Sequence, residues 1–128
     1  MTPMTPTVPL LSMLEDYLKL TTSRKLAISA NMANIDTPGY HTRDIDFEGE
    51  LHKAMSGGLS ETEAGSEGLQ LNPLVQEVPG LLERPDGNNV SLDREGLLLS
   101  ETQLQYQIGV QLIKHRFHNL LSAISGGN

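Results

Sequence analysis

The sequence predicts a mainly α chain, in which N- and C-terminal amphipathic helices pack as a coiled-coil-like helical pair joined by a flexible, partly extended middle segment. Three observations carry this expectation. Apolar residues recur at alternating steps of four and three toward both ends. A turn of Thr37, Pro38, Gly39 and Tyr40 cuts the first periodic run short. The stretch between the two runs is rich in Gly, Ser, Glu and Pro. The expected organisation is a flexible segment over residues 1–11, a helix over 12–35, a turn, extended arm and short helix over 36–55, a flexible acidic middle over 56–89 and a second long helix over 90–125.

The first helix is expected to start near Ser12. There Ser12 and Glu15 have the spacing of a capping box, with Asp16 adding charge that favours a helix N-terminus. Leu14, Leu18, Thr21, Lys25, Ile28, Met32 and Ile35 follow as a heptad-like stripe weakened at Thr21 and Lys25. The run must stop before Pro38, because proline disfavours helical geometry at Thr37. Pro38 and Gly39 then suit the central positions of a type II turn. Beyond it, an extended chain would place His41, Arg43, Ile45 and Phe47 on one side and Tyr40, Thr42, Asp44 and Asp46 on the other. Asn31 and Asn34 share a helix face just before the break. Two readings fit them: Asn34 is a C-terminal cap and Asn31 a solvated residue, or both amides tie the last turn to the arm or to a neighbouring chain.

After the turn-forming Asp86-Gly87-Asn88-Asn89 run, Ser91 is placed to cap a second helix whose first turn carries Asp93 and Glu95. Leu99, Gln103, Tyr106, Val110, Ile113, Phe117, Leu120 and Ile124 form its main stripe. Leu97, Leu104, Ile108, Leu112 and Leu121 widen the stripe to more than one face, so this helix needs more than one neighbour. Gly109 lies inside the run, where it costs about 1 kcal/mol against alanine. It is either a tolerated imperfection or a place where another helix comes close.

Composition limits the function classes. Aromatic residues make up 4% of the 128 residues and tryptophan is absent, which makes a large core difficult to build. The net charge is -7 and the acids crowd between Asp44 and Asp86, so nucleic-acid binding through a basic stripe is not expected. There is no cysteine for disulfides or thiolate metal sites. The start has no Lys or Arg before its short, proline-interrupted apolar run, and is not expected to be a cleaved signal peptide.

Asp44, Asp46 and Glu48 open like a calcium loop with Gly49 at its turn, but Met55 stands where the bidentate glutamate is required. His115 and His118 have helical spacing for zinc, yet no third ligand lies nearby in sequence. No phosphate-binding glycine loop, nucleophile elbow or zincin motif is present. No catalytic residue, metal, cofactor or small-molecule substrate is therefore expected.

The run Ala30-Asn31-Met32-Ala33-Asn34-Ile35-Asp36-Thr37-Pro38-Gly39-Tyr40 resembles the signature of the bacterial flagellar rod and hook proteins. Its continuation into Arg43, Asp44, Asp46 and Phe47, with Asp86 to Glu95, Tyr106 and Phe117 later on, is similar to the proximal rod members in particular. The chain departs from the family pattern at Thr21 and Thr22, where a charged or alanine-rich stretch is expected, and at Gly96, where a larger apolar residue is.

The resemblance implies a structural subunit of the proximal rod of the flagellar basal body, assembled through its terminal helices into a helical tube. It implies export by the flagellar type III apparatus without signal cleavage, and a place in the rod that spans the periplasm. The implied partners are the chain itself, other rod proteins, the basal-body membrane ring with its rod adaptor, and the export apparatus. The implied assembly motif is Asn31, Asn34, Thr37, Pro38, Gly39, Tyr40, Arg43, Asp44, Asp46 and Phe47. The helix-packing residues would be Leu14, Leu18, Ile28, Met32, Leu99, Tyr106, Val110, Ile113, Phe117, Leu120 and Ile124. The rival reading is a helical adaptor or export chaperone that does not polymerise.

Overall fold

The computed structural model describes residues 7–57 and 73–126. Five elements follow in chain order: α1 (Thr7–Ala33), β1 (Arg43–Ile45), α2 (Phe47–Gly57), β2 (Val75–Glu77) and α3 (Leu92–Ser125). The two long helices run antiparallel. Asn31 meets Glu95 at one end, Lys25 reaches Gln103 and Tyr106 in the middle, and Tyr17 and Leu18 lie over Gly109 further along. Long terminal helices packed on each other are the fold class the periodicity predicts; the short paired strands between them are a finding of the structure.

The start of α1 differs from expectation. The helix begins at Thr7 and runs through Ser12, which therefore does not cap it. Proline is tolerated in a first helical turn because backbone N–H groups there have no intrahelical acceptor. Pro9 thus sits inside the helix, ahead of the start expected at Ser12. The end of α1 falls at Ala33, just before the turn, as Pro38 requires.

Beyond the turn, β1 pairs antiparallel with β2, Arg43 opposite Glu77 and Ile45 opposite Val75. This corrects the expectation of a flexible stretch through residue 89. Residues 58–72 of that stretch lie outside the described residues. Residues 73–89 instead carry a strand and a hydrogen-bonded turn in which the amides of Arg84 and Gly87 bond to Asn88 O and Arg84 O. The arm also departs from simple alternation, since Thr42 and Ile45 are buried while Arg43 is exposed. Thr42 is turned inward because its amide donates to Asn89 Oδ1 at 2.6 Å and its hydroxyl to Asn89 O at 3.2 Å.

Among the described residues the apolar core is small: Leu20, Ala27, Ile28, Ile45 and Val90. Among the stripe residues Ile28 is fully buried. Leu14, Leu18, Met32, Leu99, Tyr106, Val110, Ile113 and Leu120 are half-buried, and Phe117 and Ile124 are exposed in the single chain. Leu97, Leu104, Ile108, Leu112 and Leu121 are exposed as well, so α3 keeps the second apolar face its sequence predicts. Thr21 and Thr102 are buried polar positions, each satisfied within its own helix by a 2.7 Å bond to a preceding carbonyl. Lys25, which weakens the stripe in sequence, donates to Gln103 Oε1 at 3.2 Å and sits 4.5 Å from the Tyr106 ring centroid.

No helix among the described residues is long and apolar enough to cross a membrane.

Gly109 marks the helix crossing. A Cβ there would lie 2.7 Å from Leu18 Cδ2 and 3.0 Å from the Tyr17 ring, so close approach explains this glycine. Gly109→Val is expected to destabilise the chain by about 2–3 kcal/mol through overpacking. Gly109→Ala loses less, because alanine regains about 1 kcal/mol of helix propensity. Denaturant titration of both variants checks this, and equal midpoints for valine and glycine would contradict the crossing.

Candidate functional site: the arm anchor

The buried centre of the molecule is polar. Asn31, 1% exposed, projects from the last full turn of α1, and its side-chain amide makes four hydrogen bonds. Its Nδ2 donates to Arg43 O at 2.8 Å and its Oδ1 accepts from Arg43 N at 3.0 Å. That pair of bonds is the one a neighbouring strand would make, so the Asn31 side chain covers the edge of β1 that β2 leaves free. The other Nδ2 hydrogen goes to Glu95 Oε1 at 2.9 Å, and Oδ1 also accepts from the Tyr40 hydroxyl at 3.1 Å.

Glu95, 0% exposed, carries the link from the arm to α3. Its Oε2 accepts from Arg94 Nη1 at 2.9 Å, so each oxygen of the buried carboxylate has a donor. Its position in the first turn of α3, behind the cap made by Ser91 to the Arg94 amide, adds the favourable field of the helix N-terminus.

Asn34 acts locally. Its Nδ2 donates to Ala30 O at 2.8 Å and its Oδ1 accepts from the Thr37 hydroxyl at 2.9 Å, which closes the end of α1. Pro38 and Gly39 follow as the turn, with Gly39 at φ 77 and the Tyr40 amide donating to Thr37 O at 3.2 Å. Space is open around Gly39, so glycine is needed there for its positive φ alone.

The carbonyls at the end of a helix need donors from elsewhere. Here they come from the distant turn. Asn88 Nδ2 donates to Asn34 O at 2.9 Å and to Thr37 O at 2.8 Å, and Arg84 Nη2 donates to Ile35 O. Gly39 N reaches Asp86 O at 2.9 Å, and Asn89 N reaches Tyr40 O at 3.2 Å. Residues 84–90 thus form a cradle for the turn, which their reading as turn chemistry alone did not anticipate.

The far side of the arm is held by charge and aromatic packing. Arg24 grips Asp44 with two bonds of 3.2 and 3.0 Å, the geometry that makes arginine–carboxylate pairs directional. The Phe47 ring lies 5.7 Å from the Arg24 guanidinium and stands edge-to-face with Tyr17 at 5.8 Å. Asp46 caps α2 by accepting from Gly49 N at 3.2 Å, which gives this carboxylate a role other than calcium ligation.

The anchor therefore collects Asn31, Asn34, Thr37, Gly39, Tyr40, Arg43, Asp44, Asp46 and Phe47 into one continuous structure. Arg24, Thr42, Arg84, Asn88, Asn89 and Glu95 complete it, although sequence reasoning did not assign them there. Two adjacent asparagines after an Asp-Gly pair were the available signal, since turn chemistry needs only one of them. What the arrangement does chemically is to rigidify: it holds a helix end, a strand and a second helix in fixed relation. Among the described residues no group of three or more His, Asp or Glu is placed to hold a metal.

Removing the Asn31 amide leaves the Arg43 peptide and one Glu95 oxygen short of partners inside the protein. Asn31→Ala is expected to cost about 3 kcal/mol. Asn31→Asp, although the same shape, should cost at least as much, because a carboxylate oxygen would face two other acceptors. Thermal unfolding of the two variants checks this. A melting point for Asn31→Asp close to that of the unaltered chain would show that the donated hydrogens do not matter.

No family profile matches the sequence. Individual relatives do. The chain is 34% identical over 128 residues to the flagellar basal body rod protein FlgB of Salmonella typhimurium, covering 89% of this chain and 91% of that one. It is 32% identical over 130 residues to FlgB of Escherichia coli K12, with coverage of 89% and 91%. To FlgB of Buchnera aphidicola it is 31% identical over 121 residues, with coverage of 88% and 91%. Identity at this level extends along most of both sequences, and on that ground the chain belongs to the FlgB family of flagellar basal body rod proteins.

Proposed function

We propose that this chain is a structural subunit of the proximal part of the rod, built into a helical tube through its terminal helices, and that it catalyses no reaction. The observation that carries the reading is the exposed apolar face of α3, where Leu97, Leu104, Ile108 and Leu112 stay open to solvent although α1 packs against the same helix. Burial of such a face stabilises association by about 25 cal/mol per Å². A patch that meets a different patch on the next copy, head to tail, generates a filament unless the rotation closes. The arm anchor supplies what a load-bearing filament needs: a fixed angle between the helix pair and the arm. Its role as an assembly motif is thus to orient surfaces and leave the contacts to the helices.

On this reading the partners are further copies of the chain, other rod proteins, and the membrane ring with its rod adaptor. The chain reaches them through the flagellar type III apparatus without signal cleavage and lies where the rod spans the periplasm. The helix-packing role extends to Phe117, Leu121 and Ile124, which are exposed in the single chain. The alternative of an adaptor or export chaperone that does not polymerise is not favoured, since the relatives are rod proteins.

Electron microscopy of basal bodies from cells lacking the gene tests the reading: bases should stop at the membrane ring and regain a rod when the gene is restored. Complete rods without the chain would overturn it. Two variants separate folding from assembly. Replacing Leu104, Ile108 and Leu112 together by serine should leave the melting temperature of the isolated chain within a few degrees while abolishing rods. Gly39→Val forces a β-branched residue to positive φ at about 1–2 kcal/mol or more. It should leave export intact and block incorporation; motile cells carrying it would count against the role of the turn.

A further inference from the structure

We propose that His41 is a proton-operated latch that holds residues 75–83 against the arm. The inference rests on the fold of the single chain and does not depend on the rod assignment. The imidazole lies between two carboxylates that reach it from different parts of the chain. Nδ1 is 3.2 Å from Glu77 Oε1 at the end of β2, and Nε2 is 2.7 Å from Glu83 Oε2 in the segment that leads to the cradle. A protonated ring donates one hydrogen to each; a neutral ring has one donor and turns a lone pair toward the other carboxylate.

The bridge closes a span that is otherwise thinly held. β2 is exposed at all three positions, and Leu82 is almost fully exposed. Apart from its pairing with β1, the described tie nearest the latch is the Val78 amide, which donates to Thr42 O at 3.0 Å. Most other charges of the arm and the cradle have partners of their own. Arg43, opposite Glu77 in the ladder, lines the groove that Leu26 and Ala30 of α1 share with Val75. Asp44 is paired with Arg24, Arg84 with the carbonyls of Ile35 and Val90, and the Asp86 carboxylate accepts from the Asn88 amide. Glu77 and Glu83 therefore set the charge state of the ring.

Hydrogen bonds from the ring to Glu77 and Glu83 hold its pKa above the ordinary histidine value. A raised pKa in the folded state means that the contribution is fully present below the unfolded value of about 6.5 and is lost as pH rises through the folded value. The latch is closed in acid and opens toward alkaline pH.

The test is a pH titration of the full-length chain from about pH 5.5 to about pH 8.5, across the histidine range, followed by NMR. It reads the His41 ring and the exchange protection of the Val78 amide, corrected for intrinsic exchange. Protection at Val78 should fall roughly threefold, the size of one lost surface ion pair, in step with His41 deprotonation. Amides of α1 near Ile28 should not respond. His41→Gln should make the Val78 profile flat. Glu77→Gln and Glu83→Gln should each bring the His41 titration down toward the ordinary histidine value of about 6.5. A Val78 profile that ignores the His41 titration, or that survives in His41→Gln, overturns the latch.

Discussion

The structure depends on one constraint: a primary amide buried at the end of a helix must find partners for both hydrogens and for its oxygen. Asn31 meets that constraint by pairing with the Arg43 peptide as a strand would and by sharing a hydrogen with Glu95. The three groups belong to α1, β1 and α3, so satisfying one side chain fixes three elements relative to one another. A misplaced arm leaves two peptide groups and an amide without partners, at about 1–3 kcal/mol for each buried group. Apolar contacts tolerate sliding. This arrangement does not.

The polar anchor also explains how a chain with so small a core keeps a defined shape. Leu20, Ile28, Ile45 and Val90 provide the buried apolar centre, and around them lie Thr42, Asn88, Asn89 and Glu95, all buried and all hydrogen-bonded. Geometry in this region comes from directional bonds, while the apolar surface that would enlarge a core is distributed along the outside of α3. Residues that stabilise the single chain and apolar residues that it leaves exposed are thereby separated along the same molecule. The anchor end of the helix pair is polar and self-sufficient; the face beyond it is apolar and incomplete.

Features that depend on nearby residues were legible in the sequence. The end of α1 before Pro38, the positive φ at Gly39, the Ser91 cap and the extent of α3 follow from rules that span four residues or fewer. The second face of α3 was legible because helical periodicity repeats. The start of α1 was misread because Ser12 and Glu15 have the spacing of a cap, and nothing in that spacing reveals that the helix has already begun. The cradle was missed for a different reason. Arg84, Asn88 and Asn89 bond to groups 47 to 54 residues away, and a polar side chain that turns inward leaves no periodic trace. Glu95 read as a residue facing the helix dipole, which it is, while its burial depends on Asn31, 64 positions earlier.

That separation of 64 positions has a consequence for how the molecule can vary. Closing a loop of this length opposes folding by about (3/2)RT ln n, near 4 kcal/mol, and doubling it adds only about 0.6 kcal/mol. The antiparallel helices and the β1–β2 ladder return the chain to the same place whatever number of residues lies between Gly57 and Pro73. The insertion point is therefore thermodynamically almost indifferent to what it carries. A lineage can lengthen or replace the intervening segment without disturbing the angle at which the helix pair meets the arm.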